Sequence, residues 1–331
     1  MFRKLWKTIK IFGILIIILI CLPHSILPIA SKASQEIKAI DDYIILNNKE
    51  TRLQEFKDDE EALRLKLAQV DIINESRKNF KAPKVKLDIF ASRVANRMCS
   101  EAAENDFTGH WNLAGEKPYQ RYGMAGGYDH VSENAYGEWT TGSYNISSAT
   151  IASMMKTGHG TFMKEKAPAD GHKKTVIDKY HNFVGIGFFL NKNQFRYYEE
   201  FIDRYLTFEN IPSAVTVNES FTINFKTTGN GYPYYMVVYR DKALKPMTVQ
   251  EIKRRGSYAD FSDEEYKRYT AWELSAFKEG NSYSVPLNFS KEGIYYIQIF
   301  LDSREITKPA ALNTKGKTPA SGIVITATLK D

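Results

Sequence analysis

Residues 170–189 read "DGHKKTVIDKYHNFVGIGFF": an Asp-Gly pair, a histidine at position 172, a short amphipathic run, then a β-rich segment holding two glycines. The glycines of "VGIG" (Val184 to Gly187) delete two side chains from a strand, which marks close packing against another element. They are not a phosphate loop, because no Lys-Ser/Thr pair follows. "FRYYEEFIDRYL" comes next across the polar turn "LNKNQ", so the two β-rich runs are expected to form a hairpin. A second histidine, His110 in "FTGHWN", lies 62 positions upstream of His172, and Glu133 in "VSENAY" stands between them. All three sit in or beside glycine-rich stretches, where the backbone can bend to aim a side chain inward.

Working outward, the first thirty residues differ from the rest. Arg3, Lys4, Lys7 and Lys10 precede the uncharged run "IFGILIIILICL" (Ile11 to Leu22), and Pro23, Pro28 and "ASKAS" follow. Twelve residues reach about 18 Å as helix, short of a hydrocarbon core of about 30 Å. The pattern predicts a signal peptide over residues 1–33, with an uncleaved anchor as the alternative and the only expected route to a membrane. Ile20 before Cys21 argues against lipidation. The expected address is secreted, extracellular or cell envelope. Cys99 is then the one cysteine left, so no intrachain disulfide is expected, and Cys99 reads as a small buried hydrophobe. The formal charge of +6 includes five basic residues in 1–33, which leaves about +1. That balance, without a basic stripe interleaved with aromatics, excludes nucleic acid as a partner.

Residues 34–60 are polar and read as a helix or tether. Leu63, Leu67, Val70, Ile73 and Phe80 recur at helical spacing, and Phe90, Val94, Met98 and Ala102 mark a second helix that stops near Asn105 and Gly109. Residues 108–140 show little periodicity and read as a long loop, packed by Trp111, Tyr119, Tyr122 and Tyr136. A helix, "SSATIASMMKTG", follows. Beyond "ENIPS" the grammar becomes β-rich and alternating, predicting an all-β sandwich of immunoglobulin-like type over 208–331. Two capping-box starts, at Thr248 and Ser262, predict two short helices inserted within 242–280.

The motifs gain meaning in series. "VDIINESRKNFKAPKVKLDIFASRVANRMCSEAAENDFTGHWN", "HVSENAYGEW", "DGHKKTVIDKYHNFVGIGFF" and "FRYYEEFIDRY" resemble, in order, the motifs of the CAP superfamily (cysteine-rich secretory proteins, antigen 5, pathogenesis-related proteins), also called the SCP domain. Asn74, Glu75, Arg77 and His110 fall at the matching places, and Ser132 replaces the glycine of the family's "GEN". The resemblance covers about residues 65–206 and follows the bacterial form of the last motif. It implies an α+β chain: an α-β-α sandwich over 61–207 before the β-sandwich, with a cleft lined by two histidines and two acidic residues. His110, Glu133 and His172 carry over to it; Glu165 or His159 would be the fourth. His130 and His181 read as packing or exposed residues.

Two neutral imidazoles with carboxylates nearby suit a divalent ion such as zinc, with His110 and His172 as donors. The favoured function is an extracellular binding module whose cleft holds a divalent metal, a lipid, a small ligand or a cell-envelope component. The alternative is a metal-assisted or acid-base hydrolase of an envelope or peptide substrate, with Glu133 as general base beside His110 and His172.

Overall fold

The computed structural model describes residues 40–229, 231–255, 258, 264–313 and 315–330. It divides into two units, residues 1–48 and Lys49–Asp331. Within the first, the described residues from 40 onward are helical. The second unit holds all four motifs.

Helix α1 (Glu60–Asn79) starts where Asp59 accepts the Ala62 N–H at 2.7 Å, with Glu60 and Glu61 in the first turn and Arg77 and Lys78 in the last. Both charge placements suit the helix dipole. Leu63, Val70 and Ile73 are buried as the spacing predicts, but Phe80 caps the helix and is 46% exposed. Strand β1 (Lys86–Leu87) leads into α2 (Ile89–Glu104), whose N-cap Asp88 accepts the Ala91 N–H at 2.7 Å and whose Phe90, Val94, Met98 and Ala102 are all buried. Cys99 lies on the same helix with no exposure. Residues 50–59, read with the polar N-terminal stretch, are built into this unit. Arg93 donates to the carbonyls of Glu50 and Arg52, and Lys66 forms a buried ion pair with Asp58 at 2.7 Å.

The segment 108–140 is not one long loop. It contains α3 (Pro118–Met124), with Pro at its first position, and β2 (His130–Trp139). The periodicity that would have disclosed β2 is absent because residues on both its faces are covered. Helices α4 (Ser148–Lys164) and α5 (Gly171–Ile177) come next, then the hairpin of β3 (Phe183–Leu190) and β4 (Gln194–Asp203). The hairpin turn is tied by Asn191 Oδ1, which accepts the N–H groups of Asn193 and Gln194.

These strands make one sheet in the order β1-β3-β4-β2. Successive residues of β4 face opposite ways, so Tyr198 packs with Ala95 and Met98 of α2, whereas the Tyr197 hydroxyl accepts from Gln69 of α1. Helix α2 thus covers one face; α4, with α1 and α5 against it, covers the other. The "VGIG" glycines permit this spacing. A Cβ at 185 or 187 would lie 2.4 Å from the backbone carbon of Ala91 or Ala95. This is the α-β-α arrangement that the motifs imply.

The remaining strands are β5 (Leu206–Glu209), β6 (Ala214–Thr216), β7 (Ser220–Thr227), β8 (Tyr232–Asp241), β9 (Glu264–Thr270), β10 (Lys278–Glu279), β11 (Ser282–Asn288), β12 (Gly293–Asp302), β13 (Thr318–Pro319) and β14 (Ile323–Thr328). They form two sheets, β10-β11-β7-β5 and β6-β14-β12-β8-β9, with β13 also on β12. Lettered in chain order, the first sheet is D-E-B-A and the second runs G-F-C-C′ with β6 along its edge, the immunoglobulin arrangement. Ile223, Phe225, Met236, Val238, Ile297 and Ile325 fill the space between. Tyr295, near the start of strand F, donates its hydroxyl back to the Lys291 carbonyl at 2.8 Å, as in the tyrosine corner of that fold. Ile297, fully buried, stands where antibody domains place a disulfide cysteine.

Within 242–280 the first capping box is a helix start: α6 (Val249–Arg254), with Glu251 bonded back to the Thr248 N–H at 2.7 Å. The second, at Ser262, lies outside the described residues, and from Glu264 the chain is strand β9 rather than helix. The second helix, α7 (Ala271–Ser275), is capped instead by Thr270 and Glu273. The pairing of β9 along β8 overrides the local helix signal of "SDEE".

The outer face of the second sheet does not meet solvent where it meets the α-β-α layers. Ile294, Tyr296 and Val324 pack with Phe90, Val94, Tyr119 and Tyr122 in a shared cluster. The rings of Tyr119 and Tyr296 are 4.1 Å apart. Tyr119 and Tyr122 therefore pack, as expected, but against the sandwich.

Candidate functional site

The cleft is assembled around β2 and the loop before α3. The loop is pinned from both sides: the Tyr198 hydroxyl donates to the Gly109 carbonyl at 2.7 Å, and Arg121 Nη1 donates to the His110 carbonyl at 2.8 Å. This turns His110 toward β2, where its Nδ1 lies 2.8 Å from Glu133 Oε1. The other Glu133 oxygen is held by Arg121 Nη2. Glu200, paired with Glu133 across β4 and β2, lies 3.6 Å from the same guanidinium. Arg121, Glu133 and Glu200 are all fully enclosed at their side chains.

Three ionisable groups in a dry pocket need a compensated charge. Burial, then the charge of Glu133, push the Glu200 carboxyl well above the usual range; burial raises Glu133 as well, against the pull of Arg121. Burial alone would lower Arg121, but Glu133 and Glu200 raise it, so it stays charged.

His172 is set by a second carboxylate. Glu165, at the end of α4, receives the His172 N–H at 3.0 Å and the His172 Nδ1 at 2.5 Å. Asn134 donates to the His172 carbonyl at 3.1 Å. The ring also stacks on Phe162, with centroids 5.0 Å apart. His110 and His172 then face each other with centroids 6.0 Å apart. Each Nδ1 is engaged by a carboxylate, which fixes the direction of the ring. The cleft measures about 580 Å³ and is lined by His110, Glu133, Glu165, His172, Ser132 and Tyr258, among others.

Of the residues read from sequence, His110, Glu133, Glu165 and His172 are brought together here. His159 is not. It is buried on the opposite side of the sheet, its Nδ1 2.8 Å from Glu199 Oε1 and its Nε2 2.8 Å from Ser76 Oγ. Ser76–His159–Glu199 has the order of an acyl-transfer triad. However, Ser76 lies within α1, whose backbone N–H groups are committed to the helix and offer no oxyanion site. Tyr197 and Asn134 complete the bonding of Glu199, so the group is a satisfied core network. His181 is likewise a core residue, bonded to Asp203 at 2.6 Å, and His130 is buried 3.4 Å from Gln298.

Arg121, Glu200 and Tyr258 were not legible as site residues. Two adjacent glutamates in the apolar run "YYEEF" were the available signal for Glu200, since a strand buried on both faces has no exposed side for either. Tyr258 comes from the sandwich insertion: its ring stands edge-on to His110 at 4.7 Å, and its hydroxyl accepts the Glu133 N–H at 3.0 Å.

The family's other motif residues do structural work at their expected places. Asn74 exchanges both side-chain bonds with the Val85 backbone, at 2.8 and 3.0 Å. Arg77 donates to the carbonyls of Pro83, Val176 and His181, tying α1 to β1 and to the end of α5. The middle of the chain has a CAP/SCP-like fold. No family model matches the chain, and no curated protein does. Among solved structures, an extracellular protein containing an SCP domain from Bacillus anthracis str. Ames is 17% identical over 45% of this chain and 51% of its own length, at a TM-score of 0.32. An outer surface protein from Borrelia burgdorferi is 18% identical over 41% of this chain and 89% of its own, at a TM-score of 0.30. A chitin binding domain from Burkholderia pseudomallei is 11% identical over 36% and 57%, at 0.22. This chain thus spans about half the length of the first of these.

The donor set decides how an ion would fit. Among the described residues, no group of three or more His, Cys, Asp or Glu could hold a metal. Glu133 and Glu165 spend their oxygens on the histidines, on Arg121 and on backbone N–H groups. Among the described residues, then, a closed structural metal site is not formed.

Proposed function

We propose that the protein is an extracellular or cell-envelope binding module whose cleft takes a divalent cation or a small ligand that donates hydrogen bonds. One observation carries this reading: two histidines 62 residues apart are each clamped at Nδ1 by a dedicated carboxylate, and both rings border the same cleft. Such clamping fixes the direction of each ring; His159 and His181 are clamped the same way in the core, and what sets His110 and His172 apart is that both line one cleft. An ion held by the two Nε2 atoms would have its other positions open, and would supply charge for an anionic ligand. The leader-like segment at residues 1–33 supports the address.

The hydrolase reading is weaker because of Glu133. Both its oxygens are engaged and its side chain is fully buried, so it orients His110 and has no free oxygen to accept a proton from water. Calorimetric titration with zinc tests the proposal. One-to-one saturable binding is expected, abolished by His172→Ala and weakened by Glu165→Gln. Binding that survives His172→Ala unchanged would remove the ion from this cleft.

A further inference from the structure

The loop that carries His110 is held from outside the α-β-α layers. After β8 the chain leaves the sandwich and lies along residues 111–115. The Lys245 carbonyl oxygen stands where a side chain at Gly115 would be, 2.3 Å from a Cβ there, and the Met247 N–H donates to the Leu113 carbonyl at 2.8 Å. Ile252 of α6 is buried in one cluster with Ala95, Met98 and Ala102 of α2. The Arg255 guanidinium stands 4.8 Å from the centre of the Trp111 ring. Trp111 is the chain neighbour of His110, and three residues reach at most about 10 Å. The insertion is therefore fastened beside His110 just before it supplies Tyr258.

Strand β2 ends its sheet, in the order β1-β3-β4-β2, so the N–H groups that point away from β4 have no strand to pair with. The Glu133 N–H is one of them, and the Tyr258 hydroxyl accepts it at 3.0 Å. Water would satisfy that group equally well. What the phenol adds is its ring, edge-on to His110 with centroids 4.7 Å apart. The two histidines of the cleft are correspondingly unequal: the side chain of His110 is 12% exposed and that of His172 is 34% exposed.

We propose that Tyr258 is a cover over His110, supplied by the sandwich: it shuts that ring off while His172 stays open, so a ligand that uses both rings must first displace it. This is a regulation of the cleft already described; it rests on the binding-module reading for the ligand, but not for the cover itself. Displacement gives up the bond to the Glu133 backbone and leaves the Glu133 carboxylate on His110, so the ring stays aimed when uncovered.

Acylation of histidines by diethyl pyrocarbonate, followed peptide by peptide by mass spectrometry, tests this on the full chain without metal. In Tyr258→Ala the His110 rate is expected to rise about fivefold or more, with His172 within about twofold of wild type. His159 and His181, buried in the core, report on folding in the same experiment and are expected to stay unreactive in both proteins. An unchanged His110 rate in Tyr258→Ala overturns the proposal. So does a rise at His159 and His181 alongside His110, which would make Tyr258 a brace of the fold. Zinc titration of the same two proteins separates the readings. Tyr258→Ala is expected to bind zinc about threefold or more tighter, because no cover has to be moved. Equal zinc affinity in the two would overturn the displacement. No zinc binding by either, with the His110 rate still set by Tyr258, would sink the ion and leave the cover.

Discussion

Glu199 and Glu200 show how far residue identity alone reaches. They are neighbours in one strand, yet they serve opposite faces: Glu199 receives His159, Tyr197 and Asn134, and Glu200 stands against Glu133 and Arg121. The sequence disclosed His110, Glu133 and His172 through motif order. It left His159 and Glu165 as rivals, because both are polar residues of one helical stretch and only the third dimension separates cleft from core. Glu200 carries a prediction. Its folded carboxyl lies above the unfolded value, so the folded state holds a proton that the unfolded chain releases. Stability from this group is therefore fully present below about pH 4.5 and is lost as pH rises towards the folded value. Glu133, Arg121 and His110 are the charged or titratable groups that set this value. Glu200→Gln keeps a donor toward Glu133 without a titrating proton. It is expected to flatten the decline of stability between pH 5 and 8, measured as urea midpoints across that range. An unchanged slope would mean that Glu200 is ionised at neutral pH.

At the scale of elements, helix periodicity was legible where one face is apolar and the other is wet, as in α1, whose Leu63, Val70 and Ile73 are buried while Arg64, Asp71 and Glu75 are exposed. Strands covered on both sides were not. β2 shows no alternation, since Val131 and Glu133 face one layer and Asn134 the other, all of them buried. Local capping chemistry was right at Thr248 and was overridden by strand pairing at β9. The glycines of β3 were the clearest signal, and they define a testable contact. Gly185→Ala places a methyl against the Ala91 backbone, which cannot swing aside as a side chain could. A loss of about 3 kcal/mol is expected in chemical denaturation, with the zinc stoichiometry of the remaining folded protein unaltered. A change within error of zero would show that α2 and β3 are not held at this distance.

For the whole molecule, the change of grammar near residue 208 marks a change of architecture, yet the two architectures are joined by one apolar cluster. Tyr119, Tyr122 and Val94 share it with Ile294, Tyr296 and Val324, and a Cβ at Gly123 would meet Val324 at 2.4 Å. Gln120 adds a buried bond to Asp241 at 2.7 Å. Sequence patterns report burial but not which element does the burying, so this junction was not readable in advance. The chain from residue 49 onward is expected to unfold in a single calorimetric transition, and a chain ending at residue 207 is expected to bind hydrophobic dye and lose near-ultraviolet circular dichroism. Two resolved transitions in the intact chain, or a native-like shortened one, would contradict the shared cluster.

Cys99 sits beneath all of this, on the face of α2 turned to the sheet, with burial pushing its thiol well above the ordinary value. A protonated, covered sulfur does not react with alkylating reagents. The protein therefore carries its own stopwatch: in a chain shortened by residues 1–33, where Cys99 is the one cysteine, the rate at which that sulfur takes up a reagent counts how often helix and sheet part company, with no foreign probe attached.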